Sequence, residues 1–167
     1  MVQGSCLCAT VRYAVEAPFE SMLHCHCSMC RKHHGAAFAT SVSAPFAAFR
    51  WLTGGSAIEQ YASSEEGKRS FCRYCGSVTP SLLPDFDLAI CPAGNLAEDT
   101  GIRPQAHIFV GSKAPWCTIA DSLPQHEANP PEFGGGEGVP RPAVHPRPGV
   151  TAVAGCRLGC DCFTKPA

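Results

Sequence analysis

The sequence has no excess of charge of either sign. Its 167 residues include 13 Lys and Arg and 14 Asp and Glu, which gives a net charge of −1. Proteins that bind nucleic-acid backbones or anionic lipid surfaces normally present a basic patch or stripe. The balanced composition therefore predicts neither nucleic acid nor a membrane as a partner.

Long apolar runs are also missing. No stretch approaches the roughly 20 consecutive apolar residues that span a bilayer, and the opening MVQGSCLCATVRY has no basic segment followed by an apolar one. We therefore expect a soluble, cytoplasmic protein. No window keeps an apolar period of 3.6 residues, so helices should be few and short.

Short apolar stretches separated by Gly, Pro and polar turns predict a mainly β domain. The expected strands are Cys8–Glu16, Ala36–Val42, Ile58–Tyr61, Lys68–Phe71, Val78–Leu83, Leu88–Cys91 and Ala106–Val110. After Phe133 the composition turns to glycine and proline, which is typical of a linker. We expect a domain over residues 1–133, a linker over 134–149 and a cysteine-containing tail over 150–167.

The sequence contains 12 cysteines, a large number for a chain of 167 residues. Disulfide frameworks belong mainly to short secreted chains, and nothing in this sequence indicates secretion. Pairs that are one residue apart, such as Cys6 and Cys8 or Cys25 and Cys27, form strained disulfides but can converge on one metal ion. The spacing therefore favours metal ligation, and zinc is the expected metal.

Seven of these cysteines form three short motifs, which are Cys6/Cys8, Cys25/Cys27/Cys30 and Cys72/Cys75. A structural zinc has four ligands, whereas a catalytic zinc keeps three and leaves one position open. Both rules are satisfied if one turn presents Cys25/Cys27/Cys30 to one ion and the remaining pairs, Cys6/Cys8 and Cys72/Cys75, complete a four-ligand site. Two alternatives remain open at this point. A histidine among His24, His26, His33 and His34 could close the triple-cysteine site, or only one site could exist.

Four segments together resemble the glutathione-dependent formaldehyde-activating enzyme family, whose domain is shared with centromere protein V. They are GSCLCATVRY, HCHCSMCRKHHGAAFAT, FCRYCGS and HIFVGSKAPWCTIADSLPQHE, within residues 3–127. The resemblance implies a zinc-stapled, β-tent-like fold of several small twisted antiparallel sheets. It does not extend to the tail.

The resemblance also implies roles for the cysteines. It assigns a structural zinc to Cys6, Cys8, Cys72 and Cys75, and a catalytic zinc to Cys25, Cys27 and Cys30, which makes two ions. Ala9 departs from the family pattern, which more often has glycine there, and this bears on the local turn rather than on ligation.

The activity that the resemblance implies is that of a carbon–sulfur lyase. Glutathione and formaldehyde would be the partners, and S-(hydroxymethyl)glutathione would be formed or cleaved. A related lyase could use a different thiol or electrophile. The alternative from another class is a non-enzymatic, zinc-stabilised module that binds a protein.

The remaining candidates carry weaker signals. Arg31 and Lys32 could meet a substrate carboxylate or could simply lie in a solvated turn. We expect Trp116 in the core and Cys91 and Cys117 as buried thiols, because their neighbours are largely apolar. Lys113 and Asp121 receive no role.

Overall fold

A computed structural model describes residues 1–16, 18–64 and 67–130. One α-helix, α1, covers Ser28–His34. The strands are β1 (Val2–Ser5), β2 (Arg12–Val15), β3 (Ser21–Cys25), β4 (Ala39–Pro45), β5 (Phe49–Thr53), β6 (Ile58–Ala62), β7 (Lys68–Cys72), β8 (Ser81–Leu83), β9 (Leu88–Pro92), β10 (Ala106–Ile108) and β11 (Gln125–His126). The described helices do not combine the length and apolarity needed to traverse a membrane.

The strands form three sheets. The order is β1-β2-β5 in the first, β11-β10-β3-β4-β9-β8 in the second and β6-β7 in the third. All pairings are antiparallel except those of β10, which runs parallel to both β3 and β11. The expected class, a mainly β fold of several small sheets with little helix, is confirmed.

The main core lies between the first two sheets. Tyr13 and Val15 on β2 pack with Val42 on β4 and Cys91 on β9, and all four side chains are at most 1% exposed. Phe49 and Trp51 on β5 extend this cluster through ring contacts with Tyr13. Burial of large apolar side chains is the main favourable term for such a small domain.

Most expected strands are present with shifted ends, whereas β1, β3, β5 and β11 were not predicted. The expected strand Cys8–Glu16 is shorter, because residues 7–11 form a turn and β2 starts only at Arg12. Strand β3 has the sequence SMLHC, which does not alternate regularly between apolar and polar residues, so the sequence pattern did not predict a strand there. It is held between β4 and β10, so its pairing is decided by partners that are distant in sequence.

Two expectations about burial were wrong. Trp116 is 72% exposed rather than in the core, and Cys117 is only partly buried. Cys91 is fully buried, as expected. The linker and the tail with Cys156, Cys160 and Cys162 lie outside the described residues, so the proposed division of the chain stays a prediction.

The turn that follows Cys8 holds Ala9 in a backbone conformation that is unfavourable for alanine. Ala9 has a φ of 58°, in the left-handed region, and an L-residue there costs roughly 1–2 kcal/mol. Glycine avoids this cost but loses more freedom on folding, by about 0.5–1 kcal/mol. We therefore expect Ala9→Gly to raise the free energy of unfolding by about 0.5–1 kcal/mol, as measured by denaturant titration.

Ala62→Gly is the matched control for this substitution. Ala62 is also exposed but lies at the end of β6, outside the positive-φ residues. Glycine should therefore lower stability at this position. A loss of stability of the same size in both variants would show that the conformation of Ala9 is not strained.

Candidate metal centres

The first cysteine cluster joins the turn between β1 and β2 to the end of β7. The Sγ atoms of Cys6, Cys8, Cys72 and Cys75 all lie within 4.8 Å of one another. Cys6 and Cys8 are 3.5 Å apart at sulfur, and Cys8 and Cys72 are 3.9 Å apart. Four thiolates around one zinc at 2.3 Å would be separated by about 3.8 Å, so this donor set fits a closed tetrahedral ion.

Backbone groups hold these sulfurs in place. Val11 N–H donates to Cys6 Sγ at 3.3 Å, and Leu7 N–H donates to Ser77 Oγ at 2.9 Å, which ties the two cysteine turns together. Gly76 closes the second turn with a φ of 72°, a conformation that glycine adopts without the steric cost of a side chain. Ser77 also bonds with Cys75 Sγ and lowers the pKa of that thiol to about 5.

The second cluster lies where β3 passes into α1. The Sγ atoms of Cys25, Cys27 and Cys30 lie within 4.8 Å of one another, and all three side chains are at least partly buried. Cys27 is the N-cap of α1, and its Sγ accepts a hydrogen bond from Cys30 N–H at 3.3 Å. The end of β3 and the start of α1 thus place three cysteines, all within six consecutive residues, with their sulfur atoms close together.

The three thiols of the second cluster are electrostatically coupled. Hydrogen bonds from Cys25 and Cys30 lower the pKa of Cys27. The bonds that Cys25 makes with Cys27 and Cys30, together with its burial, raise the pKa of Cys25. The first thiol proton therefore leaves the three-cysteine cluster easily, whereas the last thiol proton is held strongly. A bound cation would remove this conflict by stabilising all three thiolates.

Arg69 on β7 is the cationic group that contacts this cluster. Its Nη1 lies 3.6 Å from Cys30 Sγ, and its Nε is buried without a hydrogen-bond partner in the described structure. Sequence reasoning missed Arg69, because 39 residues separate it from Cys30. A hydrogen bond from a charged donor to a thiolate is worth about 1.5–3 kcal/mol.

Arg69→Met should therefore weaken metal binding at the second cluster. We expect about a tenfold or greater loss of zinc affinity at that cluster, with the first cluster unchanged, in a competition titration against a chromophoric chelator. Lys68→Met is the matched control, because it removes one positive charge from the same strand at an exposed position. Equal affinities in the two variants would contradict a direct role for the guanidinium.

The candidate histidines do not join the ligand group. Over the described part of the chain, the second cluster contains the three cysteines alone. His24 Nδ1 bonds with Thr40 Oγ1 at 2.8 Å, and His26 Nε2 bonds with His107 Nδ1 at 2.8 Å. Burial lowers the pKa of both His33 and His34, in His34 to about 4.

The two basic residues of α1 have different surroundings. Arg31 donates to the backbone carbonyls of His26 and Ser112, at 3.2 Å and 3.1 Å. It therefore joins the helix to the segment after β10 instead of presenting a free guanidinium. Lys32 is exposed. Arg31 is therefore partly buried and bonded to the backbone rather than lying in a solvated turn, and its contact with a substrate carboxylate stays a prediction.

A cavity of about 360 Å³ lies beside the helix. His34, Thr40 and Asn95 are among its lining residues, and none of the cluster cysteines lines it. Thr40 forms a hydrogen bond with His24, the residue before Cys25. The cavity therefore lies close to the end of β3 that leads into the second cluster.

The fold and its two clusters define a class: small, mainly β proteins with two groups of cysteines that can hold metal ions. The sequence profile of the glutathione-dependent formaldehyde-activating enzyme family matches residues 1–112, and the chain belongs to this family.

Two similar proteins illustrate the relationship. A Halomonas elongata protein whose own assignment as a glutathione-dependent formaldehyde-activating enzyme is provisional is 27% identical over 128 residues, which cover 71% of this chain and 81% of that protein. A crystal structure of a Rhodobacter sphaeroides protein is 25% identical, with a TM-score of 0.46, and the match covers 74% of this chain and 98% of that one.

Proposed function

We propose that the protein is a zinc-dependent carbon–sulfur lyase that forms and cleaves S-(hydroxymethyl)glutathione. The observation that carries this proposal is the difference between the two clusters. Four sulfurs converge in the first, whereas three converge in the second with no fourth ligand among the described residues. Family membership supports glutathione and formaldehyde as the thiol and the electrophile.

The second donor set suits the binding of a further thiol. Zinc on three thiolates would supply a position where a fourth thiol is held in its thiolate form. Arg69 beside Cys30 offsets part of the negative charge that three thiolates bring together. The N-cap bond of Cys27 fixes one sulfur at the start of α1, so the three donors are arranged before a substrate arrives.

The reaction forms one carbon–sulfur bond and needs no oxidant or reductant. The thiol sulfur adds to the formaldehyde carbon, the carbon–oxygen π bond breaks, and the thiol proton ends on that oxygen. Cleavage is the reverse. The chain's contribution is to gather the sulfur donors and to hold the charge near them.

The proposal is tested by exchange kinetics. Zinc-loaded protein is mixed with glutathione and formaldehyde, and exchange of the adduct is followed by NMR against the protein-free rate. We expect acceleration that saturates with glutathione and disappears when the metal is chelated. Acceleration with 2-mercaptoethanol but not with glutathione would identify a different thiol, and no acceleration with either would contradict the lyase proposal.

The alternative of a protein-binding module would need a closed second site or an exposed surface dedicated to binding. A histidine in the ligand group would favour it, and none is found there within the residues described. We therefore retain the lyase as the proposed function.

A further inference from the structure

Three histidines form a cluster at the parallel junction of β3 and β10. His107 pairs in register with His24, and its ring centroid lies 4.9 Å from that of His24 and 5.0 Å from that of His26. Phe38 lies against all three rings. His26 and His107 are at most 1% exposed. This cluster is separate from the sulfur ligand group, although His26 lies between Cys25 and Cys27 in the chain.

A chain of hydrogen bonds runs from the surface to His26. Both carboxylate oxygens of Asp121 lie 3.1 Å from His107 Nε2, and His107 Nδ1 lies 2.8 Å from His26 Nε2. Asp121 is half-exposed, with its side chain 49% accessible. Its pKa is lowered by the backbone N–H of Leu123 and by His107, so it is a carboxylate at neutral pH.

The carboxylate determines where the protons of this chain lie. An ionised carboxylate can only accept hydrogen bonds, so His107 must carry its proton on Nε2. A second proton on His107 would place a charge on a ring buried among two other imidazoles and Phe38, which is costly, so its Nδ1 is the acceptor in the bond with His26. His26 must then donate from Nε2, which leaves its own Nδ1 bare.

The backbone of His26 is held as firmly as its ring. Its N–H donates to Ile108 O at 2.9 Å, and its carbonyl accepts from Arg31 Nε at 3.2 Å. The residue between Cys25 and Cys27 is therefore fixed at three points. Its neighbours are two of the three sulfurs, so a change in the ring of His26 would alter their spacing.

We propose that Asp121 is a positioning residue for the second cysteine cluster, acting through His107 to fix the tautomer and orientation of His26. The inference rests on the proposed function in requiring that this cluster binds metal. Direct hydrogen-bond partners of metal ligands commonly change metal affinity by about 10–100-fold when they are replaced. Asp121 lies further away, because it acts through His107 and His26, so its effect should not exceed the lower end of that range.

Asp121→Asn is the variant that isolates this role. The amide oxygen can still accept the bond from Leu123 N–H, which in the native protein goes to Asp121 Oδ1 at 3.0 Å, so the loop keeps its local support. The amide NH₂ group, however, would compete with the Nε2 proton of His107. Asp99→Ala is the control for the loss of a surface carboxylate, because Asp99 pairs with the exposed Arg103 rather than with a histidine.

The test uses the full chain labelled with ¹⁵N-histidine. Long-range ¹H–¹⁵N spectra should show His26 and His107 protonated only at Nε2. Asp121→Asn should remove this exclusive tautomer and lower zinc affinity at the second cluster by up to about tenfold, the lower end of the range for direct partners of metal ligands, while Asp99→Ala changes neither. Asp121→Ala, which removes the competing amide, should also lower the affinity.

Three results would contradict the inference: both nitrogens of His107 protonated in the unaltered protein, an unchanged tautomer in Asp121→Asn, or an altered tautomer with unchanged zinc affinity. If the unaltered second cluster takes up no metal, the proposed function fails as well. Metal uptake that is unaffected by Asp121 overturns only the positioning role, so the two failures are distinguishable.

Discussion

Replacing Cys72 with serine should cost several kcal/mol of stability and make the remaining fold insensitive to chelators. Cys72 is fully buried and contributes one of four sulfurs that tie the β1–β2 turn to β7. Removal of one thiolate from a closed four-ligand set weakens metal binding, and for structural zinc the binding free energy is folding free energy. Thermal unfolding with and without EDTA would measure both effects.

Cys91→Ser is the matched control for this experiment. It makes the same change of sulfur to oxygen at a fully buried position, but Cys91 lies on β9 in the main apolar core, outside either cluster. This variant should be less stable but should keep its two metals and its sensitivity to EDTA. If Cys72→Ser were no more damaging than Cys91→Ser, the first cluster would have no special role in stability.

Replacing Cys27 with serine should abolish thiol binding and adduct exchange while leaving the domain folded. Serine is a strongly preferred N-cap residue, so its oxygen can accept the bond that Cys27 Sγ now receives from Cys30 N–H. The second cluster, however, loses one of its three sulfurs. We expect the melting temperature to change by only a few degrees and exchange to fall to the uncatalysed rate.

The readouts for Cys27→Ser are metal content by mass spectrometry, circular dichroism and the NMR exchange assay. Cys117→Ser, at a partly buried cysteine outside both clusters, should retain two metals and full activity. Retained activity in Cys27→Ser, or unfolding of this variant, would show that stability and function are not separated between the two clusters.

The partition of the cysteines could be predicted because it depends on local spacing. Cys25, Cys27 and Cys30 lie close enough in sequence for one turn to gather them, and the structure does bring their sulfurs together. The four-cysteine group was harder to predict, because it joins motifs about 65 residues apart. It was inferred because the two remaining pairs supply the four ligands that a structural zinc needs. That these groups bind zinc remains a prediction.

The surroundings of the clusters could not be predicted from local patterns. Arg69 and His107 have ordinary sequence neighbours, and their importance comes only from contacts across 39 and 81 residues. Asp121 and His107 were present in a recognised motif, yet nothing in the motif shows that they bond with each other. Trp116 was wrongly predicted as core because apolar residues in loops are often exposed.

Strand β7 connects the two candidate centres. It carries Arg69, which contacts Cys30, and ends at Cys72, which belongs to the four-cysteine cluster. Loss of the first metal would therefore disturb the position of Arg69, whereas loss of the second need not disturb Cys72. We therefore expect loss of the first metal to weaken metal binding at the second cluster more than loss of the second metal weakens binding at the first.

The second cluster should hold a metal ion with a position open to a substrate thiol. Replacing zinc with Co²⁺ and titrating glutathione, while the thiolate-to-cobalt charge-transfer band is recorded, measures whether a thiol occupies that position. We expect two cobalt ions per chain and a band that grows saturably with glutathione but not with S-methylglutathione, and no growth in Cys27→Ser. A spectrum of two cobalt ions that glutathione leaves unchanged would show that no position is open to a thiol.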